Sequence, residues 1–498
     1  MRLSILNKTI FLQLFVIISL LMILPSIVAF AEKDYFVGRT FLYSSCAGVF
    51  VYLLISIALS NIPKTQNNFE KLVSFILSYL FLPIFMAMPV ILSLDYVLFL
   101  DGWLEMVSAF STTGLNVTNV GKPDGSAFQL WLAIVSWIGG IFFWICAISI
   151  LLPLNISRFE IGVTDLASGS SNKSYESSNS VINSARHLIP IYVVITISLW
   201  VLLTISGVPG FKALLMAMSV ISTSGFEMTS YDATNIFIVE GIILLFFVFA
   251  LSKSLFIRDI NDIQKFEMFK DPEIRLASII IVGVTVLFFA NSVIVLISEN
   301  NDISPVILIK HFWGIFFTVA SYLVTMGNES NVWSNELHSP VTEITLVALM
   351  GLTIIGGGVA TTAGGVKLLR VYILYRNAAQ EVDMMLHPNS IPSKKGKGSI
   401  SDNKNNRLMA WIFLMLFIAA LAFFTLIFSL IFDDIGPGLA LSVSALTTTG
   451  PLFFNAGYEI AITDINQIFK FLLGLAMILG RLEILVIVAL ISPSVWSK

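Results

Sequence analysis

The chain of 498 residues is 57% hydrophobic and 12% charged, about half the charged fraction of an ordinary soluble domain, with a net charge of −3. This excludes a large soluble enzyme, whose surface needs more charge, and the acidic balance gives nucleic acid little to bind, so no nucleic-acid partner is expected. Two cysteines, Cys46 and Cys146, each inside an apolar run, argue against a structural disulfide or a thiolate metal site. The expected class is an all-α polytopic membrane protein with the lipid bilayer as its surroundings.

A hydrocarbon layer of about 30 Å takes roughly 20 helical residues. Ten apolar runs qualify: 10–30, 38–60, 72–98, 129–153, 187–206, 235–256, 275–298, 341–374, 408–432 and 464–491. The first follows Arg2 and Lys8 in the manner of a signal peptide, but it is longer than a signal core and segments of the same style recur to the end of the chain. It is therefore read as a retained helix, paired with the second in a leading unit, 1–66.

Between the third and fourth runs, and again between the fifth and sixth, seventh and eighth, and ninth and tenth, lies a segment of about 15 residues. At that length it cannot cross and must dip in and return. Each such segment ends in the same spacing of Ser, three residues, Thr, one residue, Gly: SAFSTTG from Ser108, SVISTSG from Ser219, SYLVTMG from Ser321 and SALTTTG from Ser444. Four copies at separations of roughly 100 to 120 residues mark one unit used four times. The units are 67–160, 181–262, 272–380 with a broken second helix, and 406–498, with a linker at 381–405. Irregular backbone at membrane depth survives only where protein or a water-filled cavity covers it. The predicted architecture is thus a leading helix pair plus four repeats of first helix (M1), pore helix and second helix (M2), in a pseudo-four-fold arrangement around a central pore.

A cation leaves water only if oxygens replace its hydration shell, and rings of backbone carbonyls do this. Aiming successive carbonyls at one axis demands conformations that glycine tolerates best, which singles out Gly114, Gly225, Gly327 and Gly450. The hydroxyls of Thr112, Thr223, Thr325 and Thr448 can brace the turn or add an oxygen at its inner edge; Thr113, Ser224, Met326 and Thr449 complete the candidate ion-binding set. The pore helix before each string points its negative end at the cavity, favouring a cation. One such string alone reads as well as a hydroxyl-rich helix cap, whereas four in equivalent places read as a filter. The third is the poorest match, because Val324 and Met326 replace hydroxyl residues.

The eighth run is about 35 residues long where roughly 20 suffice, so its middle must leave the helix. Gly356, Gly357, Gly358, Gly364 and Gly365, with Ala360, Thr361, Thr362 and Ala363 between them, supply that break. The plainer reading is a stripe of small residues packed against a neighbouring helix. In the last run, Arg481 stands among Ile478, Leu479, Leu482 and Ile484. A charge at such a depth costs about 2.5 to 3.5 kcal/mol on insertion scales, so it should face the interior. It either pairs with an acid or stands as a positive barrier, and Glu483, two residues on, lies on another helix face. Glu105 can hold the first string by hydrogen bonds, Asp433 and Asp434 can cap the fourth short helix, and Lys470 and Lys212 are expected to snorkel at an interface. His187, His311, His338 and His387 show no metal-ligand spacing.

With a cytoplasmic N-terminus, 21 of the 28 basic residues fall on the cytoplasmic side. The polar stretches from Ser168 to Ser180 and from Pro388 to Asn406 read as solvated linkers, with docking surfaces as the functional alternative.

At DGWLEMVSAFSTTG (from Asp101), STSGF (from Ser222), TTTGP (from Thr447), GGGVATTAGGVKLLR (from Gly356) and GRLEIL (from Gly480), the chain resembles the Trk/Ktr/HKT superfamily of potassium transporters over nearly its whole length. Its leading helix pair is similar to the TrkH type. The resemblance implies K+ as the transported ion, since glycine at the first filter position goes with potassium there and serine with sodium permeation. It also implies a gate beneath the filter, formed by Gly356, Gly357, Gly358, Thr361, Thr362, Gly364, Gly365 and Lys367, with Arg481 as its barrier. Further implications are a cytosolic nucleotide-binding ring subunit of the TrkA type, a homodimer with one pore per protomer, and a multi-pass location in the bacterial inner membrane. The competing transport reading is an alternating-access cation symporter, Na+ or H+ coupled, with the broken helix in its binding site. No His-Glu-x-x-His, Gly-x-Ser-x-Gly or P-loop motif speaks for an enzyme.

Overall fold

The computed structural model describes residues 10–59, 68–94, 96–118, 125–151, 180–226, 236–252, 271–298, 305–332, 343–387, 404–432, 434–458 and 462–483. The basic loop at 253–270, the linker at 388–403, nearly all of the polar stretch at 168–180, His338 and Asp433 lie outside them. Among the described residues every regular element is helical.

The first apolar run is two helices, α1 (Ile10–Leu21) and α2 (Ile23–Ala31). Pro25 lacks an N–H and its ring crowds the carbonyl of Leu21, so the chain turns at Met22. Next comes α3 (Tyr35–Ala58), capped by Asp34, whose carboxylate accepts from the Val37 N–H at 3.2 Å. This leading group packs on the body of the protein where Gly48 lies so close to Ser19 and Phe85 that a Cβ would collide with both.

Four groups follow, each with a long helix, a helix ending in a Ser-x3-Thr-x-Gly string, and a second helix. They are α4 (Asn68–Ser93), α5 (Phe99–Phe110) and α6 (Ser126–Cys146, continued by a π-helical turn, Ala147–Leu151); then α7 (Ser180–Ile205), α8 (Gly210–Ser222) and α9 (Ile236–Leu251). The third group is α10 (Pro272–Ser298), α11 (Pro305–Leu323) and two half-helices, α12 (Glu343–Ile355) and α13 (Leu368–Leu386). The last is α14 (Lys404–Phe432), α15 (Ile435–Leu446), a short α16 (Pro451–Asn455) and α17 (Gln467–Leu482).

Eight helical stretches among the described residues are long and apolar enough to cross a membrane, which with the composition makes this a multi-pass membrane protein. They are not the ten runs of the sequence reading. Helices α9, α12 and α17 are 16, 13 and 16 residues long, because α12 breaks at its glycines and α17 leaves the helix at Glu483, where φ is +57°. Conversely, α11 has 19 residues where about 15 were expected, so length alone would let it cross. Its first turns carry Val306, Ile309 and Phe312 exposed on the outer face, where lipid would cover them, and this extends the apolar stretch outward from the buried string-bearing end.

Burial separates the layers. Helix α5 is buried from Asp101 to Phe110 and packs between α4 and α17, whereas α14 exposes Leu408, Trp411, Met415, Phe423, Leu426 and Leu430. Apolar side chains on that outer face meet acyl chains without penalty, while the non-helical strings lie wholly inside protein.

Candidate functional site

The recurring sequence string has a recurring backbone. Thr112, Thr223, Thr325 and Thr448 all adopt left-handed conformations, with φ of 57°, 54°, 61° and 55°. A β-branched residue there is strained by about 1–3 kcal/mol. In each string the next N–H reaches back five residues to the serine carbonyl: Thr113 to Ser108 (2.8 Å), Ser224 to Ser219 (3.0 Å), Met326 to Ser321 (3.0 Å) and Thr449 to Ser444 (2.9 Å). This is a left-handed helix ending, and it explains the fixed Ser-x3-Thr spacing, although threonine stands where glycine is usual.

The glycines follow two residues later, and here the expectation needs correcting. Gly114, Gly225 and Gly327 have φ of 72°, 69° and 77°, but Gly450 has φ −56° and opens α16. At Gly450 the requirement is space. A Cβ there would overlap the Leu115 N–H and Gly114, just as one on Gly114 would overlap the Ser224 carbonyl, one on Gly225 the Met326 carbonyl, and one on Gly327 the Thr449 methyl. Each string thus abuts the next in chain order, and the fourth returns to the first, with the Gly450 N–H donating to the Thr113 carbonyl at 2.6 Å. All twelve residues of the candidate set are buried.

The strings are held from behind. In the first, the Ser108 hydroxyl donates to the Leu115 carbonyl (2.8 Å), and Glu105 Oε2 accepts from the Val117 N–H (2.8 Å), the Thr118 N–H (2.9 Å) and the Thr118 hydroxyl (3.2 Å). In the third, the Asn328 N–H donates to Ser321 Oγ (2.9 Å) and Asn455 Nδ2 donates to the Gly327 carbonyl (3.0 Å). Lys470 departs from expectation, being buried rather than snorkelling. An apolar contact between α17 and α5 can bury it because Asp101 lies 2.5 Å away and the Thr463 carbonyl accepts from Nζ at 2.8 Å. Lys212 is exposed, and Asp434 caps α15 through the Gly436 N–H.

Between α12 and α13 the glycine-rich segment folds back on itself. The N–H groups of Val366 and Lys367 donate to the carbonyls of Ile354 and Ile355, and Leu368 N–H to that of Gly357, each at 2.9 Å. Gly356 and Gly365, at φ 72° and 77°, face each other too closely for side chains. Beyond itself the loop touches three strings or the helices bearing them. The Gly364 N–H donates to Thr325 Oγ1 (2.7 Å), the Thr362 hydroxyl donates to the Ile221 carbonyl (3.1 Å), and Gly364 lies against the Thr447 carbonyl and Thr448 hydroxyl. Gly358 and Thr361 are tied to the Ala250 carbonyl at the end of α9. Lys367, at φ 84°, turns its ammonium to the Ala363 carbonyl.

Arg481 reaches this loop from α17. Nη1 donates to the Thr362 carbonyl at 2.6 Å, and the guanidinium carbon stands 4.2 Å from the centre of the Phe143 ring. The Lys367 ammonium lies 5.7 Å from the same ring. Among the described residues, Nε and Nη2 of Arg481 are buried without a hydrogen-bond partner, and the buried Tyr79 hydroxyl is a polar neighbour of the guanidinium. Glu483 pairs with Arg370 instead, at 2.5 Å, while Arg370 stacks 3.8 Å from the Phe413 ring centre. The last helix therefore holds the broken one within its break, at Thr362, and just beyond it, at Arg370.

Sequence reasoning missed three residues that touch these parts. Trp144 Nε1 donates to the Ala360 carbonyl, where φ is 56°, and Glu273 Oε1 accepts from the Val359 N–H at 3.0 Å. Glu240, buried in α9, accepts through both oxygens from Trp313, Ser330 and Asn331 of the third group. A lone acid in IFIVEGIILLFFVFAL was the available signal, because an intramembrane charge marks function by default.

The profile of the family described as TrkH, cation transport protein, matches residues 51–498. Among curated proteins, the chain is 25% identical to the Trk system potassium uptake protein TrkG of Escherichia coli (strain K12) over 488 residues, covering 96% of each. It is 26% identical to the uncharacterized cation transporter MJ1485 of Methanocaldococcus jannaschii over 484 residues, 95% of this chain and 92% of the other. Among solved structures, the crystal structure of the potassium transporter TrkH from Vibrio parahaemolyticus superposes over 100% of both chains with a TM-score of 0.80 at 20% identity.

Proposed function

The chain belongs to the TrkH family of cation transport proteins, and from that premise we propose that it takes up potassium across the bacterial inner membrane, N-terminus cytoplasmic, through a filter built from the four strings. The carrying observation is the closed circuit in which each filter glycine abuts the next string, with four strained threonines at its base. Strain of this kind persists where surroundings over-determine it, as at a site that must present fixed carbonyls to a dehydrated ion. Backbone carbonyls from the string residues replace the hydration shell, and Thr112, Thr223, Thr325 and Thr448 set the inner end of the path.

The glycine-rich loop is the gate in this reading. It is hydrogen-bonded to Thr325 and to the end of α8, so it lies directly against the strings on their pore-helix side. Arg481 locks it through the Thr362 carbonyl and puts a buried positive charge beside the cation path, where low dielectric strengthens repulsion. Opening requires the loop to release the Thr362 carbonyl and the guanidinium to withdraw. The chain carries no nucleotide-binding motif, so nucleotide control would enter through a cytosolic ring subunit acting on each protomer of a homodimer.

The test is cation flux in liposomes holding the purified protein, at several imposed voltages and with or without a pH gradient. The proposal expects a reversal potential that follows the potassium gradient alone. A reversal potential shifted by the proton gradient would replace it with a coupled carrier. Arg481→Ala is expected to raise flux, and unchanged flux at equal protein levels would remove Arg481 as the barrier.

A further inference from the structure

An acid buried in the middle of an apolar membrane helix needs a reason, because placing it there is costly. Glu240 is fully buried in α9, a helix of the second group, yet the partners named above belong to the third. Oε2 accepts from the Trp313 indole N–H (2.8 Å) and the Ser330 hydroxyl (2.9 Å); Oε1 accepts from the Asn331 N–H (2.8 Å) and the same hydroxyl (2.8 Å). These donors come from two places, the helix α11 that carries the third string and the segment that leaves it. One carboxylate thus fixes the distance between them. Phe237, one turn earlier on α9, packs on the Trp313 ring with centroids 5.9 Å apart and holds the indole in position.

Comparison with the first string gives this geometry its meaning. Glu105 accepts from the N–H groups of Val117 and Thr118, the third and fourth residues after Gly114. Ser330 and Asn331 are the third and fourth residues after Gly327. Two carboxylates from unrelated positions, one on the string's own helix and one on a helix of the preceding group, reach the same two residues behind the filter glycine: Glu105 takes both N–H groups, while Glu240 takes the Ser330 hydroxyl and the Asn331 N–H and leaves the Ser330 N–H to Thr318 Oγ1 at 3.3 Å. Chance burial of an acid does not produce that coincidence, and a carboxylate serving as an ion ligand would not have both oxygens occupied by protein donors.

We infer that Glu240 is a positioning residue for the third string, which it braces across the boundary between groups, and that it thereby helps to set ion selectivity. The inference rests on the filter reading above. Val324 and Met326 leave the third string without the side-chain hydroxyls that brace the others, and Glu240 supplies the restraint from outside.

The experiment measures the K+ to Na+ permeability ratio from reversal potentials in liposomes for the full-length wild type, Glu240→Gln, Glu240→Asp, Trp313→Phe and Ser330→Ala. Glutamine turns one acceptor into a donor facing donors, so the ratio should fall roughly ten- to a hundredfold, the scale of one lost charge-assisted hydrogen bond. Aspartate should keep more of the ratio than glutamine does, and Trp313→Phe and Ser330→Ala should lower it in the same direction. A Glu240→Gln protein with wild-type selectivity overturns the inference. Should that variant fail to fold, Trp313→Phe and Ser330→Ala decide it, and an unchanged ratio in both overturns it equally. A flux change with altered pH dependence in Glu240→Gln alone would make Glu240 an ion or proton carrier and also defeat the positioning role. A wild type whose reversal potential ignores potassium would defeat the filter reading itself, a separate outcome.

Discussion

The first and third strings reach the same backbone shape with different shares of local and distant support. The first is held by its own helix: Glu105, Ser108 and the Ser111 to Thr113 hydroxyl contact (2.7 Å) all lie within its own sequence. The third, poor in hydroxyls, keeps Ser321 and Thr318 of its own helix, which accept from the Asn328 and Ser330 N–H groups, and draws its remaining restraints from elsewhere: Glu240 of the second group, Asn455 of the fourth and the glycine-rich loop through Thr325. A string rich in local hydrogen bonds can be set independently, whereas one braced by its neighbours is coupled to whatever they do. Of the threonine hydroxyls in the strings, that of Thr325 accepts directly from the loop, through the Gly364 N–H.

The largest expected effect tests how far the strings differ in tolerance. Gly114→Ala drives a methyl into the Ser224 backbone at a φ of 72°, and flux should fall on the order of 100-fold, as misplacement of a dehydrated ion's ligands by about an ångström predicts. Gly327→Ala meets a side-chain methyl instead, so it should lose less, and adding Thr449→Ser should recover part of the loss. Equal, unrescued losses in ion-flux assays would erase the distinction. Next, Thr325→Val removes the acceptor for the buried Gly364 N–H. An unsatisfied donor costs about 1–3 kcal/mol, so the closed loop should lose roughly tenfold in population, seen as raised basal flux. The smallest effect is Asn455→Ala. It frees the Gly327 carbonyl of one neutral hydrogen bond, and the K+ to Na+ ratio should drop about threefold with no change in thermal unfolding midpoint.

What could be read beforehand follows the same divide. The four strings, the break in the eighth run and the buried Arg481 were visible because each is a local departure from its surroundings: a repeated spacing, clustered glycines, a charge in grease. Glu105 was legible as a brace because it lies one helix turn before Ser108. Glu240 was not, since its partners stand 73 to 91 residues away and which helix lies beside which is not written in any local pattern. The same blindness applied to Glu483, whose partner Arg370 is 113 residues distant, and to Lys470, which looked like an interfacial lysine until Asp101 was placed beside it. The left-handed threonines were hidden for another reason. Propensity assigns that conformation to glycine, and tertiary packing overrode it four times.

The closure of the circuit by Gly450 against Thr113 and Leu115 also bears on biogenesis. The first string finds its last neighbour only when Gly450, 336 residues beyond Gly114, has been synthesised and inserted, so a nascent chain arrested earlier lacks the string that closes the circuit. On the filter reading, conductance should therefore emerge in a single step with the fourth string rather than accumulate group by group. Ribosome-arrested chains ending before and after residue 483, assayed for cation leak in vesicles, would show that step or its absence.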